Sequence, residues 1–585
     1  MSYTRRELHL NAFLMEAGHH EAAWRLPESN PRADFDLQHW IGLARLAESA
    51  KFDSLFLADG PAFFGTGEFR PPGQLEPLTL LTALAQWTER IGLIATVSTT
   101  YNEPYNLARR LASVDHVTGG RAGWNIVTSA GASEAANFGL AQRPGHAERY
   151  ARADEFLRVA KALWDSWETE AIVADKESGR WGDPARFHRI DHDGQHFKVA
   201  GPLNVQRPPQ GYPLLVQAGS SEDGKDFAAR YAEAIFTAHQ TYERAADFYA
   251  DIKARAAKAG RDPGSVLVLP GIVPFIGETQ ARAQELAAQF DELRVPEYGL
   301  HQLAQVFELE PSDFDLDGPL PDHVLARPKL EGSQSRADLI IELAARENLT
   351  VREVLARLGG GRGHFTVAGL PEQVASTIID WFEGGAADGF NVMAPALPSG
   401  LQAFIDHVLP ILRGKGLFRE EYQGTTLREH YGLHPSALAA PACRLDRLFL
   451  CSASRRGMDG TLLGGDRLGD DVAASHLVDV RVHQAGDQGL AEAEAGVHGG
   501  DLPVARDGVG REQDAGRMRQ DHLLHDHGHA TLAPTAKTAS SAAMSPSVHP
   551  APPGRVRLVA GPGVYICAEC IGLCNEISPA TRTAE

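Results

Sequence analysis

The chain has 585 residues, 43% of them hydrophobic, with a formal charge of −20 at pH 7 and a pI near 5.6. That balance excludes a general nucleic-acid or anionic-membrane binder, because such partners require clustered positive charge and no basic run is present. The opening MSYTRRELHLNAFLM is no secretory start, no stretch of about 18 apolar residues could span a bilayer, and every cysteine lies at Cys443 or later. A reducing, cytoplasmic setting is therefore expected, without a disulfide framework over the first three quarters of the chain.

In chain order, residues 8–14 read as a buried strand that runs into a polar turn holding Met15, Glu16, His19 and His20. Apolar residues at helical spacing over 36–50 then give way to a strand over 52–57 with Asp59 at its tip. The alternation repeats. A helix over 76–89 precedes a strand over 91–97 tipped by Ser98 and Thr99, and a helix over 105–117 precedes a strand over 122–127 tipped by Thr128 and Ser129. Next come a helix over 148–168 and a strand over 213–217 ending in Gly219, Ser220 and Ser221. Further units follow at 222–238 and 242–276, then a helix over 278–293, and finally helix 371–382, strand 389–394 and helix 401–412. Eight strands alternating with helices predict a parallel α/β sheet, and its length favours a closed (β/α)₈ TIM barrel over an open doubly wound sheet. Two insertions interrupt it, at 171–212, where alternation about Asp193 and Gly194 suggests a hairpin, and at 294–363.

The site of such a barrel lies at the carboxyl ends of its strands, and here those ends are polar. The stretch 119–140 runs from an apolar strand into Thr128, Ser129, Ala130 and Gly131, small and hydroxyl-bearing residues that let backbone amides approach a bound ring or phosphate. Ser220 and Ser221 precede a helix, where they form either a phosphate seat or a simple N-cap. His146 and Tyr150 share one helix face. His19 and His20 are ionisable near working pH, one of them available for proton transfer. Phe13 and Phe56, near the ends of the first two strands, either wall a substrate pocket or belong to the core. No GxGxxG opens a helix after a strand, and the glycine run over 359–363 reads as a flexible loop, not a dinucleotide cradle. No metal site is expected in the barrel.

The segments LNAFLMEAGHHEAAWRLP, LFLADG, IATVSTTYNEPYNLARRLASVDHVTGGRAGWNIVTSAG, ANFGL, ERYARADEF and LFREEYQGTTLREHYGL span residues 5–435 in order. Together they resemble the bacterial luciferase-like flavin-dependent monooxygenases, in the group that contains nitrilotriacetate monooxygenase component A and dibenzothiophene-sulfone monooxygenase. The resemblance implies reduced FMN (FMNH2) as a diffusible co-substrate, a separate NAD(P)H:flavin reductase as its supplier, and O2. The implied reaction oxygenates a small organic nitrogen or sulfur compound with C–N or C–S cleavage. By position it places flavin contacts at Asp59, Ser98, Thr99, Ser129, His146, Tyr150, Ser220 and Ser221. It favours His20 as the catalytic acid–base, with Phe13 and Phe56 as candidate pocket walls. A homo-oligomer, dimer or tetramer, is expected. Two alternatives stand beside this reading: a deazaflavin-dependent oxidoreductase of the same superfamily, and a non-catalytic adaptor acting through the tail.

Beyond residue 440 the composition changes, and only Phe449 and Tyr565 are aromatic. Domains are therefore expected at 1–440 (the barrel), 441–555 (a low-order, largely disordered extension, compatible with a shifted reading frame) and 556–585. The last holds RLVAGPGVYICAECIGLCNEI, which resembles the second half of the zinc-binding domain of the Clp protease ATPase subunit X. Cys567 and Cys570 form one CxxC pair, but no second pair precedes them. A remnant without zinc is expected.

Overall fold

The computed structural model describes residues 6–63, 65, 67–326, 330 and 334–434, together with the strands Leu558–Gly561 and Val564–Cys567. Eight short apolar strands lie parallel: β1 (His9–Leu14), β2 (Ser54–Leu57), β3 (Gly92–Ser98), β4 (Ala122–Val127), β5 (Leu214–Gln217), β6 (Ala234–Thr237), β7 (Leu267–Ile276) and β8 (Gly389–Val392). Each pairs with its neighbour in sequence, and β8 returns to β1, so the sheet closes into the expected barrel. Register puts Phe13 beside Phe56 and Thr96 beside Asn125. The crossover helices begin at side-chain caps: Asp36 accepts from the Gln38 and His39 amides, Glu76 from those of Leu78 and Thr79.

One strand departs from the sequence reading. Phe365–Gly369 pairs with the second half of β7, from Ile272↔Phe365 to Ile276↔Gly369. The glycine run before it is not a loose loop. Gly361 and Gly363 are buried, and a Cβ on Gly361 would stand 2.5 Å from Thr366 Oγ1. Gly361 has no side chain because it packs closely beneath the incoming strand.

The amino-terminal mouth is plugged by residues 417–433. A Cβ on Gly92 would lie 2.2 Å from Leu427, and one on Gly123 3.1 Å from it, so these two glycines leave the space that Leu427 fills. Around the plug, Asp53 receives Arg419 at 2.7 Å and His9 at 3.0 Å. Arg428 forks onto Glu233 at 2.5 and 2.8 Å, and Tyr431 Oη donates to Asn11 at 2.6 Å.

The first insertion carries two strand pairs, Ile172–Asp175 with Arg180–Gly182 and His192–Asp193 with Lys198–Val199, the second where alternation suggested a hairpin. The second insertion holds the helices Pro296–Phe307, Asp322–Leu325, Gln334–Glu347 and Val351–Gly359 around an apolar core that includes Leu303, Phe307, Ile340 and Val354. The structure divides into units 1–460 and 461–585. In the second unit, Leu558–Gly561 and Val564–Cys567 pair antiparallel. The extension expected over 441–555 and the side chains of the terminal cysteines lie outside the described residues. Among those described, no helix is long and apolar enough to cross a membrane.

Candidate active site

A cavity of about 1210 Å³ opens at the carboxyl ends of β5 and β6 and runs under the second insertion, with Ser220, Phe236, His239, Tyr298 and His364 in its wall. On the β3–β5 side the residues form a hydroxyl network. Ser129 Oγ donates to Ser98 Oγ at 2.9 Å, and the Thr100 amide donates to the same oxygen at 3.1 Å. Ser129 has φ +46°, in the left-handed region. A non-glycine residue held there at a strand tip is strained, and such strain persists where surrounding structure fixes it. Thr99 differs from its neighbour: its amide and its Oγ1 both bond to Val127 O, at 2.9 and 3.2 Å. It braces the β4 tip instead of presenting a hydroxyl.

The helix His146–Trp164 carries Tyr150 and His146 with rings 4.9 Å apart. Tyr150 Oη shares hydrogen bonds with the Ser221 and Thr128 hydroxyls. A Cβ on either Gly219 or Gly224 would come 2.9 Å from that oxygen, so both positions are restricted to glycine by close approach. Ser221 caps the helix Glu222–Tyr231 by accepting from the Gly224 amide at 3.2 Å. The first turn of that helix is acidic, but each charge is held: Asp223 lies 3.0 Å from His146, and Glu222 bonds to Lys225 and Arg255 at 2.8 and 2.6 Å. Asp59 stands apart at the β2 tip. Loss of solvation at the crowded mouth, reinforced by Glu76 and Glu134, pushes it up to about 6.

Phe13 and Phe56 stack at 5.1 Å, and Phe236 leans on both, at 5.2 and 5.4 Å. Of the three, Phe236 reaches the cavity wall; Phe13 and Phe56 are 5% and 1% exposed and back it. Asn125 donates to Thr96 Oγ1 at 2.8 Å and leaves its own Oδ1 buried without a partner among the described residues.

The two histidines of the β1 turn face different surroundings. His20 accepts the Ala22 amide at Nδ1, 3.1 Å, and its ring lies 4.8 Å from Phe290, outside the cavity wall. Burial, then Arg294, holds it down to about 3. His19, also outside the cavity wall, is 2% exposed, and neither of its ring nitrogens has a partner among the described residues. Burial, then the neighbouring His364, depresses it well below the usual imidazole value. His364 stacks on Phe236 at 5.0 Å, and burial with Arg336 holds it down to about 3. These imidazoles are neutral at pH 7.

His364, Phe236, Arg336 and Arg362 are absent from the site as read from sequence. His364 immediately precedes the unread strand; its apolar, β-branched run FTV was the available signal.

With this geometry in place, the comparisons with known proteins decide the class. The family model for luciferase-like monooxygenases matches residues 13–388. The chain belongs to that family. It is 46% identical to nitrilotriacetate monooxygenase component A of Aminobacter aminovorans, over 73% of this chain and 97% of that protein. It is 40% identical to dibenzothiophene-sulfone monooxygenase of Rhodococcus erythropolis (strain XP), with 73% and 97% covered. Among solved structures, a riboflavin lyase with modified FMN and riboflavin superposes with TM-score 0.66 at 33% identity, over 73% of this chain and 96% of the other. A model of the ClpX C4-type zinc finger matches residues 554–578. As a luciferase-like monooxygenase, the chain is an enzyme of the flavin monooxygenase class whose barrel mouth is the candidate active site.

Proposed function

We propose that the protein is the oxygenase of a two-component system, acting in the cytoplasm as a homo-oligomer and oxygenating a carbon beside nitrogen or sulfur in a small organic molecule, with C–N or C–S cleavage following. The observation that carries this reading is the cluster of hydroxyls at the carboxyl ends of β3 to β5, Ser98 with Ser129 and Tyr150 with Ser221, next to Ser220 in the cavity wall of a luciferase-like barrel. It fits a flavin: the amide end of the helix Glu222–Tyr231 suits a phosphate. Relatives named for an amine, nitrilotriacetate, and for a sulfone support the substrate chemistry.

Ser220, Ser221, His146 and Tyr150 hold the phosphate end. Ser98, Ser129 and Asp59 bind the ribityl and ring polar atoms, and Thr99 acts by bracing the β4 tip. Reduced FMN, delivered by an NAD(P)H:flavin reductase, supplies the electrons that activate O2. The apolar floor of Phe13, Phe56 and Phe236 keeps water away from the reacting carbon. We assign proton transfer to His19, because its ring nitrogens are unengaged whereas His20 Nδ1 is bonded and holds the turn. For the tail we propose a remnant without a complete zinc site, since the matched segment contains three cysteines, Cys567, Cys570 and Cys574.

The test couples purified protein to a flavin reductase with NADH and a panel of amines, sulfones and thioethers, read by product mass. One added oxygen or the corresponding cleavage fragments are expected. Protein that neither binds FMNH2 nor alters any panel member overturns the reading, as would turnover with a reduced deazaflavin alone.

A further inference from the structure

The strained turn at the tip of β4 is braced by four side chains. Ser129 has φ +46°, and the carbonyls around it are taken: Val127 O by the Thr99 amide and Oγ1, Thr128 O by Thr100 Oγ1 at 2.6 Å, and Ala130 O by Arg143 Nη1 at 2.6 Å. The fourth brace is Glu134, on the short helix Ala132–Asn137. Its Oε2 accepts the Gly131 amide at 2.7 Å, and its carboxyl also hydrogen-bonds the Ser129 hydroxyl, which bonds Ser98 in turn. Thr99, Thr100 and Arg143 reach backbone carbonyls with their side chains; Glu134 reaches a hydroxyl as well.

A helix cap alone does not account for this carboxyl. Glu353 and Glu429 hold the same third position in the capping boxes of the helices Val351–Gly359 and Leu427–His430. Both are exposed, and each bonds back to its own cap threonine. Glu134 is 7% exposed, and its cap residue, Gly131, has no hydroxyl to return the bond. Burying a carboxyl carries a desolvation cost that capping does not require. What the burial adds is a hydrogen bond to each end of a turn whose left-handed residue would otherwise relax, and such strain persists only where the surroundings fix it. Gly131 belongs to the same device. A Cβ there would stand 2.8 Å from Glu134 Oε2, so a side chain would push the carboxyl off the tip, although the Gly131 backbone, φ −79° and ψ 134°, suits any residue.

We propose that Glu134 is a positioning residue for the flavin: by holding the Ser129 hydroxyl and the Gly131 amide at the two ends of the strained tip, it presents Ser129, and through it Ser98, to the bound cofactor. The inference deepens the oxygenase reading and rests on it for the assignment of those serines to the flavin. Anaerobic titration of the full-length chain with FMNH2, read by quenching of tryptophan fluorescence, tests it, with urea unfolding run on every variant. E134A, and G131A with the carboxyl displaced but present, should each weaken FMNH2 binding about tenfold or more, whereas E134Q, which keeps an oxygen for the Gly131 amide and a polar group for Ser129, should stay within about threefold of the parent. E134A/S129A should bind no more weakly than the weaker of its two single variants, because Glu134 acts through Ser129. Parent affinity in E134A, additive losses in the double variant, or loss of affinity matched by loss of folded protein in both E134A and G131A would overturn the proposal. So would E134Q binding as weakly as E134A, because the carboxyl would then act by its charge and not by holding the turn. Parent protein that takes up no FMNH2 would sink the oxygenase reading itself, whereas tight binding by the parent and all variants would sink the role of Glu134 alone.

Discussion

The two ends of the barrel treat buried polar groups in opposite ways. At the amino-terminal end, Asp53 is matched by Arg419 and His9, and Glu233 by Arg428. The atoms left over there, Arg419 Nη1 and His430 Nδ1, belong to side chains bonded through their other nitrogens. At the carboxyl-terminal end, His19 has no partner at either ring nitrogen and His364 has none at Nδ1 among the described residues. Folding alone would select against such groups, since each unpaired buried donor or acceptor costs about 1–3 kcal/mol. The plugged end is organised for stability, the open end for a ligand.

The contrast breaks most visibly at Glu233. Glu233→Ala strands the Arg428 guanidinium, which is 2% exposed at its side chain, and should cost about 3–5 kcal/mol in urea unfolding. A loss below about 1 kcal/mol would mean that the plug is not a stability device. His19→Phe is the converse change at the mouth. It removes two unpartnered nitrogens, so stability should stay within about 1 kcal/mol of the parent, whereas reductase-coupled turnover should fall about 10²–10⁴-fold. A large loss of stability with turnover intact would place His19 in the structural class with Arg428.

The barrel was legible because strand period and tip chemistry agree. β4 and its hydroxyl tip coincide with residues 122–127 as read, since six apolar-to-polar residues between turns allow one strand and no helix. Phe365–Gly369 was missed because it follows a glycine run that has the composition of a loop, and its close packing against Thr366 is a tertiary fact. Charge matching was equally hidden. Arg244 and Glu342 meet across 98 positions. His19 and His20 are adjacent in sequence, yet only the His20 ring is engaged, by the Ala22 amide, a contact that adjacency does not reveal.

Glu21, in the cavity wall, offers the finest test of the comparison, through pH. Burial pushes its carboxyl up to about 7 from an ordinary 4.5, with Asp291 adding to the rise and Arg294 and Arg70 opposing it. Its folded-state value is raised, so the unfolded chain gives up this proton first as pH increases. Stability from this group is therefore complete below about 4.5 and is lost progressively up to about 7. Asp53 works the other way. Burial alone would raise it, but Arg419 and His9 outweigh burial and hold it below the usual carboxylate range, so its contribution is lost only in acid, as pH falls through that lowered value. Urea midpoints of the parent and of Glu21→Gln should diverge between pH 5 and 7.5, the variant becoming relatively more stable as pH rises. A constant difference across that window would mean that the open end ionises as freely as the surface, and that the neutral groups gathered at the mouth are not shielded from water.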